Sequence, residues 1–405
     1  MSDDTPPNDE SKQPAAAPQP KPVIGLRNSS LGRRLPADSA PSQPVAVTKN
    51  KRRMMPAFWY RWDRKTKILS STALVLVLVA ASAAVYSTFI NKSHGSTQSK
   101  TGGKVDNRVA SPLTGVKVEP DLAKRPVTGI MIENSPDARP QSGLQNAGVV
   151  FEGISEGGIT RFLGLFQEGQ PPYVGPVRSL RTYYIDWAGS FDASIAHIGG
   201  SPAALDRMRT GGKDLDQFFN AGSYLRVNSR PAPHNVYTSF AKMDALNQAK
   251  GYTSSKFDSW PRKGDKPLVT PTAKLIDADI SSAAYNSHYN YDANSNAYLR
   301  SEGGVPHIAT AAEDGGGSLQ LQPKVLLILV MGFSIVDDDG HGGYDTIGSG
   351  PLYVFQDGGV THGSWSKASP PAQFVFKDDA GNPVKLNAGQ AWVTALQDGQ
   401  LHYSP

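Results

Sequence analysis

Cysteine is absent from this chain of 405 residues. Its absence excludes disulfide bonds, thiol nucleophiles, thiolate metal sites and lipid anchors attached through cysteine. The apolar fraction of 39% still permits hydrophobic cores, and the length is sufficient for two or three domains. Any chemistry must therefore use carboxylate, imidazole, hydroxyl, guanidinium or backbone groups.

The chain also has little excess charge outside its N-terminal tail. Its formal net charge is +5, and residues 1–67 hold thirteen Lys and Arg against six Asp and Glu, or +7. The remaining residues therefore carry −2 (5 − 7). Because the basic character belongs to the tail, the sequence gives no reason to expect a nucleic-acid-binding domain.

Long apolar runs are scarce, and only residues 68–90 are long enough to cross a membrane. This segment has 23 residues without a charge, which suits a hydrocarbon core of about 30 Å. Because basic residues precede it, the positive-inside rule predicts a single-pass signal anchor with a cytoplasmic N-terminus and extracytoplasmic domains after it. A cleaved signal peptide or a buried helix is less favoured, because the run is long and its small residues lie inside it.

Composition and periodicity divide the rest of the chain. Residues 1–67 read as a disordered basic cytoplasmic tail, and residues 91–107 as a linker rich in Ser, Gly, Thr and Lys. Strand and helix patterns interleave in residues 108–255, whereas short strands and Gly/Asp turns dominate residues 268–404. The predicted class is α+β, with an N-terminal layered sheet and helix domain and a smaller, mainly β C-terminal domain.

Two apolar segments, 148–154 and 159–166, are joined by a Ser-Glu-Gly-Gly turn and predict a β-hairpin. Symmetric closure about Glu156 and Gly157 would pair Glu152 with Arg161 across the strands. This register is a prediction that interatomic distances test directly.

A group of polar motifs between residues 137 and 237 occurs where apolar runs end, as is common for binding sites. The strand–Gly199-Gly200-Ser201–helix pattern leaves backbone N–H groups free to bind an anion, and Arg178 could add guanidinium donors to a carboxylate or phosphate. The predicted ligand-binding residues are Arg139, Glu152, Arg161, Arg178, Arg181, Asp186, His197, Gly199, Gly200, Ser201, His234 and Asn235.

A catalytic interpretation of the same residues remains open. His197 or His234 could act as a general base and Ser201 as a nucleophile, with Glu152, Glu156 or Asp186 as the acid or orienting group. However, the sequence contains no nucleophile elbow, zincin motif or P-loop, so the catalytic residues stay unknown. We expect no cofactor and no metal site. Residues 337–345 could suggest a calcium loop, but a polar hairpin turn is the simpler prediction.

Several ordered motifs resemble those of the YerB-like family, bacterial envelope lipoproteins of unknown function. The segments that carry the resemblance are residues 138–144, 156–161, 175–179, 197–202, 232–235, 298–300, 306–307, 347–350, 354–358, 363–367 and 386–392. The resemblance covers about 110–400 and implies an α+β N-terminal domain followed by a smaller C-terminal domain. It implies no reaction and no catalytic residues. This chain departs from the family in lacking the lipid-attachment cysteine, which the predicted span would replace.

The resulting functional hypothesis is a membrane-anchored, extracytoplasmic binding or accessory module. Its ligand would be an anionic glycan, a peptide or a cell-wall fragment. The alternative is a hydrolase or transferase acting on envelope polymers. A purely structural docking protein is a third possibility, if the polar side chains are all paired internally.

Overall fold

The computed structural model describes residues 106–405, which form a mixed α+β structure with several sheets and few helices, as predicted. The tail, the predicted span and nearly all of the linker lie outside these residues. The helices are α1 (Pro120–Ala123), α2 (Thr182–Gly189), α3 (Pro202–Gly211) and α4 (Phe240–Lys250).

The strands come from the whole described length. Those before the second half are β1 (Val109–Ala110), β2 (Lys117–Val118), β3 (Thr128–Glu133), β4 (Gln141–Ser142), β5 (Val149–Ile154), β6 (Thr160–Phe166), β7 (Ser194–Ala196), β8 (Leu225–Arg226) and β9 (Val236–Tyr237). Those that follow are β10 (Arg262–Lys263), β11 (Leu275–Ala278), β12 (Ser287–Asp292), β13 (Ala297–Glu302), β14 (Val305–Pro306), β15 (Ile308–Thr310), β16 (Leu319–Gln320), β17 (Val325–Val330), β18 (Phe333–Ile335), β19 (Gly342–Tyr344), β20 (Gly348–Gln356), β21 (Gly359–Lys367), β22 (Val375–Asp378), β23 (Leu386–Asn387), β24 (Ala391–Leu396) and β25 (Leu401–Ser404).

A nine-stranded mixed sheet forms the centre of the structure, in the order β22-β21-β20-β17-β24-β5-β6-β3-β7. β24 pairs in parallel with both β17 and β5, so strands from both halves of the chain share this sheet. The described residues belong to one compact unit. The division of the chain into two domains stays a prediction. The central sheet contains strands from both sides of the predicted boundary.

Both faces of the central sheet are buried. Alternate strand residues point to opposite sides of the sheet, so they belong to a different core on each face. On one face, Phe151 and Leu327 belong to a core shared with α2 and α3. On the other, Val150 and Leu326 belong to a core shared with α4 and the five-stranded antiparallel sheet β14-β13-β12-β11-β25. The result is a layered arrangement with the mixed sheet in the middle.

The hairpin of β5 and β6 has a register one residue away from the predicted one. Glu152 pairs with Phe162, and Gly153 with Arg161. The reason is the turn: Gly157 and Gly158 both adopt positive φ (59° and 74°), and the strands pair symmetrically about Gly157 rather than about the Glu156–Gly157 bond. A one-residue shift exchanges the faces, and the predicted pair of Glu152 and Arg161 is therefore wrong.

Short local sequence signals mark a helix start, a helix end and a turn in the structure. α3 begins with Pro202 at its first position after Ser201 as N-cap. α4 is stopped by Gly251, which has a φ of 75°. The segment 337–345 forms the expected hairpin, in which Asp337 Oδ2 and His341 Nδ1 lie 2.7 Å apart at the turn between β18 and β19.

Within residues 106–405, no helix is long and apolar enough to cross a membrane. The longest described helix, α4, has 11 residues, a length of about 16 Å. A span needs about 20 apolar residues.

Candidate functional site

The predicted site residues occupy separate places in the structure. Arg178, Gly199 and Gly200 line one groove, whose other lining residues are Ser179, Ile198, Leu205, Arg209, Phe218, Arg226, Ala232 and Pro233. Its volume is about 550 Å³. We call it the arginine groove.

Backbone hydrogen bonds hold the two central loops of the arginine groove side by side. The N–H of Ile198 donates to the carbonyl of Arg178 (3.1 Å), and the N–H of Leu180 donates to the carbonyl of Gly199 (3.0 Å). Gly199 has a φ of +61°, and a Cβ there would lie 3.1 Å from Cε2 of Phe218. Glycine is therefore required for the backbone to line the groove in this conformation.

Three arginines give the groove positive charge. Arg178 lies 3.4 Å from the carboxylate of Glu133. Arg226 donates to Oδ1 of Asn235 (3.2 Å), which orients its guanidinium group, and Arg209 lies over the ring of Phe219, 5.3 Å from its centroid. In the part of the chain that the structure describes, neither Arg209 nor Arg226 forms an ion pair. Their charges are thus free to meet an anionic ligand.

The groove also has an apolar component. Phe218 is 68% exposed and the neighbouring Phe219 is 69% exposed, unusual values for large aromatic side chains. Pro233 and Leu205 complete the apolar lining. The site therefore combines guanidinium groups with surface on which an apolar or aromatic group could pack.

A buried carboxylate lies beside Arg178. Glu133 ends β3, and its Oε1 accepts a hydrogen bond from Ser135 (2.9 Å) and contacts Nδ1 of His234 (3.0 Å). The second oxygen, Oε2, is buried and has no hydrogen-bond partner within the described residues. Glu133 was not predicted from sequence, although it directly follows the apolar run of residues 127–132.

His197 and Ser201 stabilise the loop rather than face a ligand. His197 is fully buried, with Nδ1 2.8 Å from the carbonyl of Gly199 and Nε2 3.1 Å from Asp214. Both ring nitrogens are thereby used, which leaves no nitrogen to act as a base. Ser201 is buried at the start of α3, and its side chain makes no capping hydrogen bond. The pairing of His197 with Ser201 that the catalytic interpretation needs is not observed.

Arg161 and Arg181 are paired with Glu156 and do not line the arginine groove. Arg161 donates to one carboxylate oxygen of Glu156 (2.8 Å), and Arg181 donates to the other. Burial opposes ionisation of Glu156, but the two guanidinium groups and Ser155 outweigh it and lower its pKa to about 2. The single carboxylate of Glu156 therefore holds both guanidinium groups, although it balances only one of their two charges.

Glu152 belongs to a buried network on the opposite face of the central sheet. Its carboxylate accepts hydrogen bonds from Arg300 (2.9 Å) and from the indole of Trp392 (2.9 Å). Arg300 also donates to His307 (2.9 Å) and to Glu302 (3.2 Å). All five side chains are buried, so Glu152 has no direct contact with solvent.

Arg139 and Glu302 line a second pocket, of about 370 Å³, whose remaining walls are Pro140, Val305, Pro306, His307 and Ile308. Nε of Arg139 lies 3.4 Å from Oε2 of Glu302. Burial raises the pKa of Glu302 to about 7, although Arg300 acts against it. Burial also lowers the pKa of His307 well below its ordinary value.

Asp186 lies elsewhere, on α2. Its carboxylate pairs with Arg207 and accepts a hydrogen bond from Thr346 (2.6 Å). Of the twelve predicted residues, the structure therefore brings Arg178, Gly199, Gly200, His234 and Asn235 together around the arginine groove.

The residues missed at this groove are Arg209, Arg226, Phe218 and Glu133. Arg209 lies in the last turn of α3, and Arg226 lies in a two-residue strand. Nothing in their local sequence distinguishes them from solvated surface residues. An apolar pair, Phe218-Phe219, in an otherwise polar loop was the one signal available in the sequence.

Comparison with known proteins assigns the class. Residues 113–253 match the family described as "Protein of unknown function (DUF3048) N-terminal domain", and residues 276–393 match its C-terminal domain. The chain belongs to this family, and the YerB-like resemblance is confirmed.

The individual relatives define the resemblance further. "Putative lipoprotein YerB" of Bacillus subtilis (strain 168) is 31% identical over 298 residues, covering 72% of this chain and 87% of the relative. The crystal structure of YerB protein from Bacillus subtilis has a TM-score of 0.66 and 29% identity, covering 74% of this chain and 100% of that one.

These findings correct the predicted localisation. The relative is named a lipoprotein, and within residues 106–405 no helix is long and apolar enough to span a membrane. The lipoprotein name of the relative contradicts the prediction of a single-pass transmembrane anchor. The segment on which it was based, residues 68–90, lies outside the described residues.

Proposed function

We propose that this protein is a binding module for an anionic ligand that carries an apolar or aromatic portion, held in the arginine groove. One observation carries the proposal: Arg209 and Arg226 line the same groove as the Gly199-Gly200 backbone, and no carboxylate within the described residues neutralises either of them. A guanidinium group suits carboxylate and phosphate oxygens because its planar donors form paired hydrogen bonds.

The exposed aromatic surface supports an amphipathic ligand. An inorganic anion would use the arginines but leave Phe218 in water, whereas a ligand with a ring or an apolar chain would cover both. The Bacillus subtilis relative is named a lipoprotein. A lipoprotein is held at a membrane surface by its lipid, where anionic glycans and cell-wall fragments are candidate ligands.

Phenylphosphonate is a suitable probe, because it joins an anion to a ring and contains no ester bond. We expect calorimetric titration of the full chain to detect binding that weakens with added salt. Arg209→Ala/Arg226→Ala should weaken it about 30- to 1,000-fold, because two lost charge-assisted hydrogen bonds at about 1–2 kcal/mol each remove about 2–4 kcal/mol. These two arginines are preferable to Arg178, whose loss would leave the buried Glu133 without its guanidinium partner.

Arg108→Ala is the matched control, since Arg108 is exposed and lies outside the groove. It should leave the affinity unchanged. Phe218→Ala should weaken phenylphosphonate but not inorganic phosphate. Equal affinities of the wild type and the double arginine variant would refute the proposal.

A further inference from the structure

The pair formed by Glu133 and His234 lies beside the arginine groove and is not explained by anion binding. Glu133 contacts Nδ1 of His234 at 3.0 Å and Arg178 at 3.4 Å through the same oxygen, Oε1. His234 lies between Pro233, which lines the groove, and Asn235, which orients Arg226. The imidazole is therefore linked to the groove through Glu133, which contacts both His234 and Arg178.

The carboxylate fixes which nitrogen of His234 is available. When Glu133 accepts the Nδ1 proton, the neutral ring presents Nε2 as a proton acceptor. Within residues 106–405, no protein group hydrogen-bonds this Nε2, and the side chain is 15% exposed. Ser135 lies 3.4 Å from Nδ1, the same nitrogen that Glu133 holds. Ser135 thus cannot be the nucleophile of a serine triad, in which the serine and the acid occupy opposite nitrogens.

A buried carboxylate lowers the stability of the fold. Its presence beside a half-buried histidine therefore points to a role other than stability. The second oxygen of Glu133 is buried without a hydrogen-bond partner within the described residues, and such an atom lowers the stability of the fold. His197 offers a contrast, because both of its nitrogens are occupied by the protein.

We propose that the arginine groove is a hydrolytic site for phosphodiesters with an apolar or aromatic substituent, and that His234 is its general base. This inference rests on the proposed anion binding in the same groove. Nε2 of His234 takes a proton from a water molecule, whose oxygen forms a bond to phosphorus. The bond between phosphorus and the leaving oxygen breaks, and that oxygen takes the electron pair. The proton then passes from His234 to the leaving group or to solvent, so the net reaction consumes one water.

Each neighbouring group has a defined part in this step. Glu133 is a positioning residue, which holds the tautomer and stabilises the imidazolium that forms. Arg178 and Arg226 stabilise the charge that develops on the phosphoryl oxygens. Phe218 packs against the substituent.

Hydrolysis of bis(p-nitrophenyl) phosphate by the full chain tests the proposal. We expect release of p-nitrophenolate above the buffer rate. His234→Gln should lower kcat about 100-fold or more, because general-base catalysis contributes about 10²–10⁴-fold, while KM changes less than about threefold. His288→Gln is the control, since His288 also pairs with a carboxylate, that of Asp277 (2.6 Å), in the five-stranded sheet.

Glu133→Gln distinguishes positioning from a merely structural role. It should lower kcat, and combining it with His234→Gln should produce no further loss, because both changes disable one unit. Additive losses in the double variant would indicate that Glu133 acts only on folding, and the positioning role would be overturned.

Two failures remain distinguishable. If phenylphosphonate binds and the wild type still does not hydrolyse the diester, or His234→Gln hydrolyses it at the wild-type rate, the hydrolytic inference is overturned while the binding function stands. If phenylphosphonate does not bind, the proposed function itself fails.

Discussion

Glu302 should make the stability of this protein fall as pH rises from 5 to 8. Burial raises its folded-state pKa to about 7, whereas an unfolded glutamate has a pKa of about 4.3. Because the folded state holds this proton more tightly, the stabilisation is fully present below the unfolded pKa. It is lost as pH rises through the folded pKa. The expected loss between pH 5 and 8 is about 2–3 kcal/mol.

Glu302→Gln removes the titration while keeping the shape of the side chain. The glutamine carbonyl can still accept from Asn134 (2.7 Å in the wild type) and from Arg300. We expect urea unfolding to show that the stability of the variant relative to the wild type increases by about 2–3 kcal/mol between pH 5 and 8.

Glu156→Gln provides the control for this experiment. The pKa of Glu156 is lowered to about 2, so its stabilisation is lost only as pH falls from its unfolded value of about 4.3 through about 2. Its variant should differ from the wild type by a constant amount between pH 5 and 8. A stability difference for Glu302→Gln that stays constant over that range would show that Glu302 is already ionised, and would refute the reasoning.

Two further predictions concern the core network and the groove. Arg300→Met should destabilise the fold by about 3–5 kcal/mol in urea unfolding, because it leaves the buried carboxylate of Glu152 without its guanidinium partner; a loss under about 1 kcal/mol would contradict this. Gly199→Ala should lower the free energy of unfolding by about 1–2 kcal/mol, because φ at this position is +61°, and it should weaken phenylphosphonate binding. Gly264→Ala is the control, since a Cβ there meets nothing within 4 Å, and it should leave both measurements unchanged.

Local structure was largely predictable because its causes are local. Ser201-Pro202 and Gly251 mark helix ends through backbone geometry that involves only neighbouring residues, and the structure places α3 and α4 accordingly. The hairpin of β5 and β6 was predicted, but its register was not. Two glycines with positive φ moved the centre of the turn by half a residue, which reassigned every pair along both strands.

The proximity of the candidate site residues was predictable only for segments that are neighbours in the fold. The backbone segments that contain Arg178 and Gly199-Gly200 are joined by hydrogen bonds and lie side by side. Arg209 and Arg226 were missed, because an exposed arginine in a helix or a short strand has the same local pattern whether or not it lines a groove.

The amino-acid sequence by itself determined that no cysteine chemistry is available, that the family is the YerB-like one, and that the segments of β5 and β6 form a hairpin. Only the tertiary structure decided which charges remain available. Arg181 and Glu156 are 25 positions apart and neutralise each other, whereas Arg226 meets no carboxylate within the described residues. Neutralisation depends on distances of a few ångströms between groups far apart in the chain, and folding alone sets those distances.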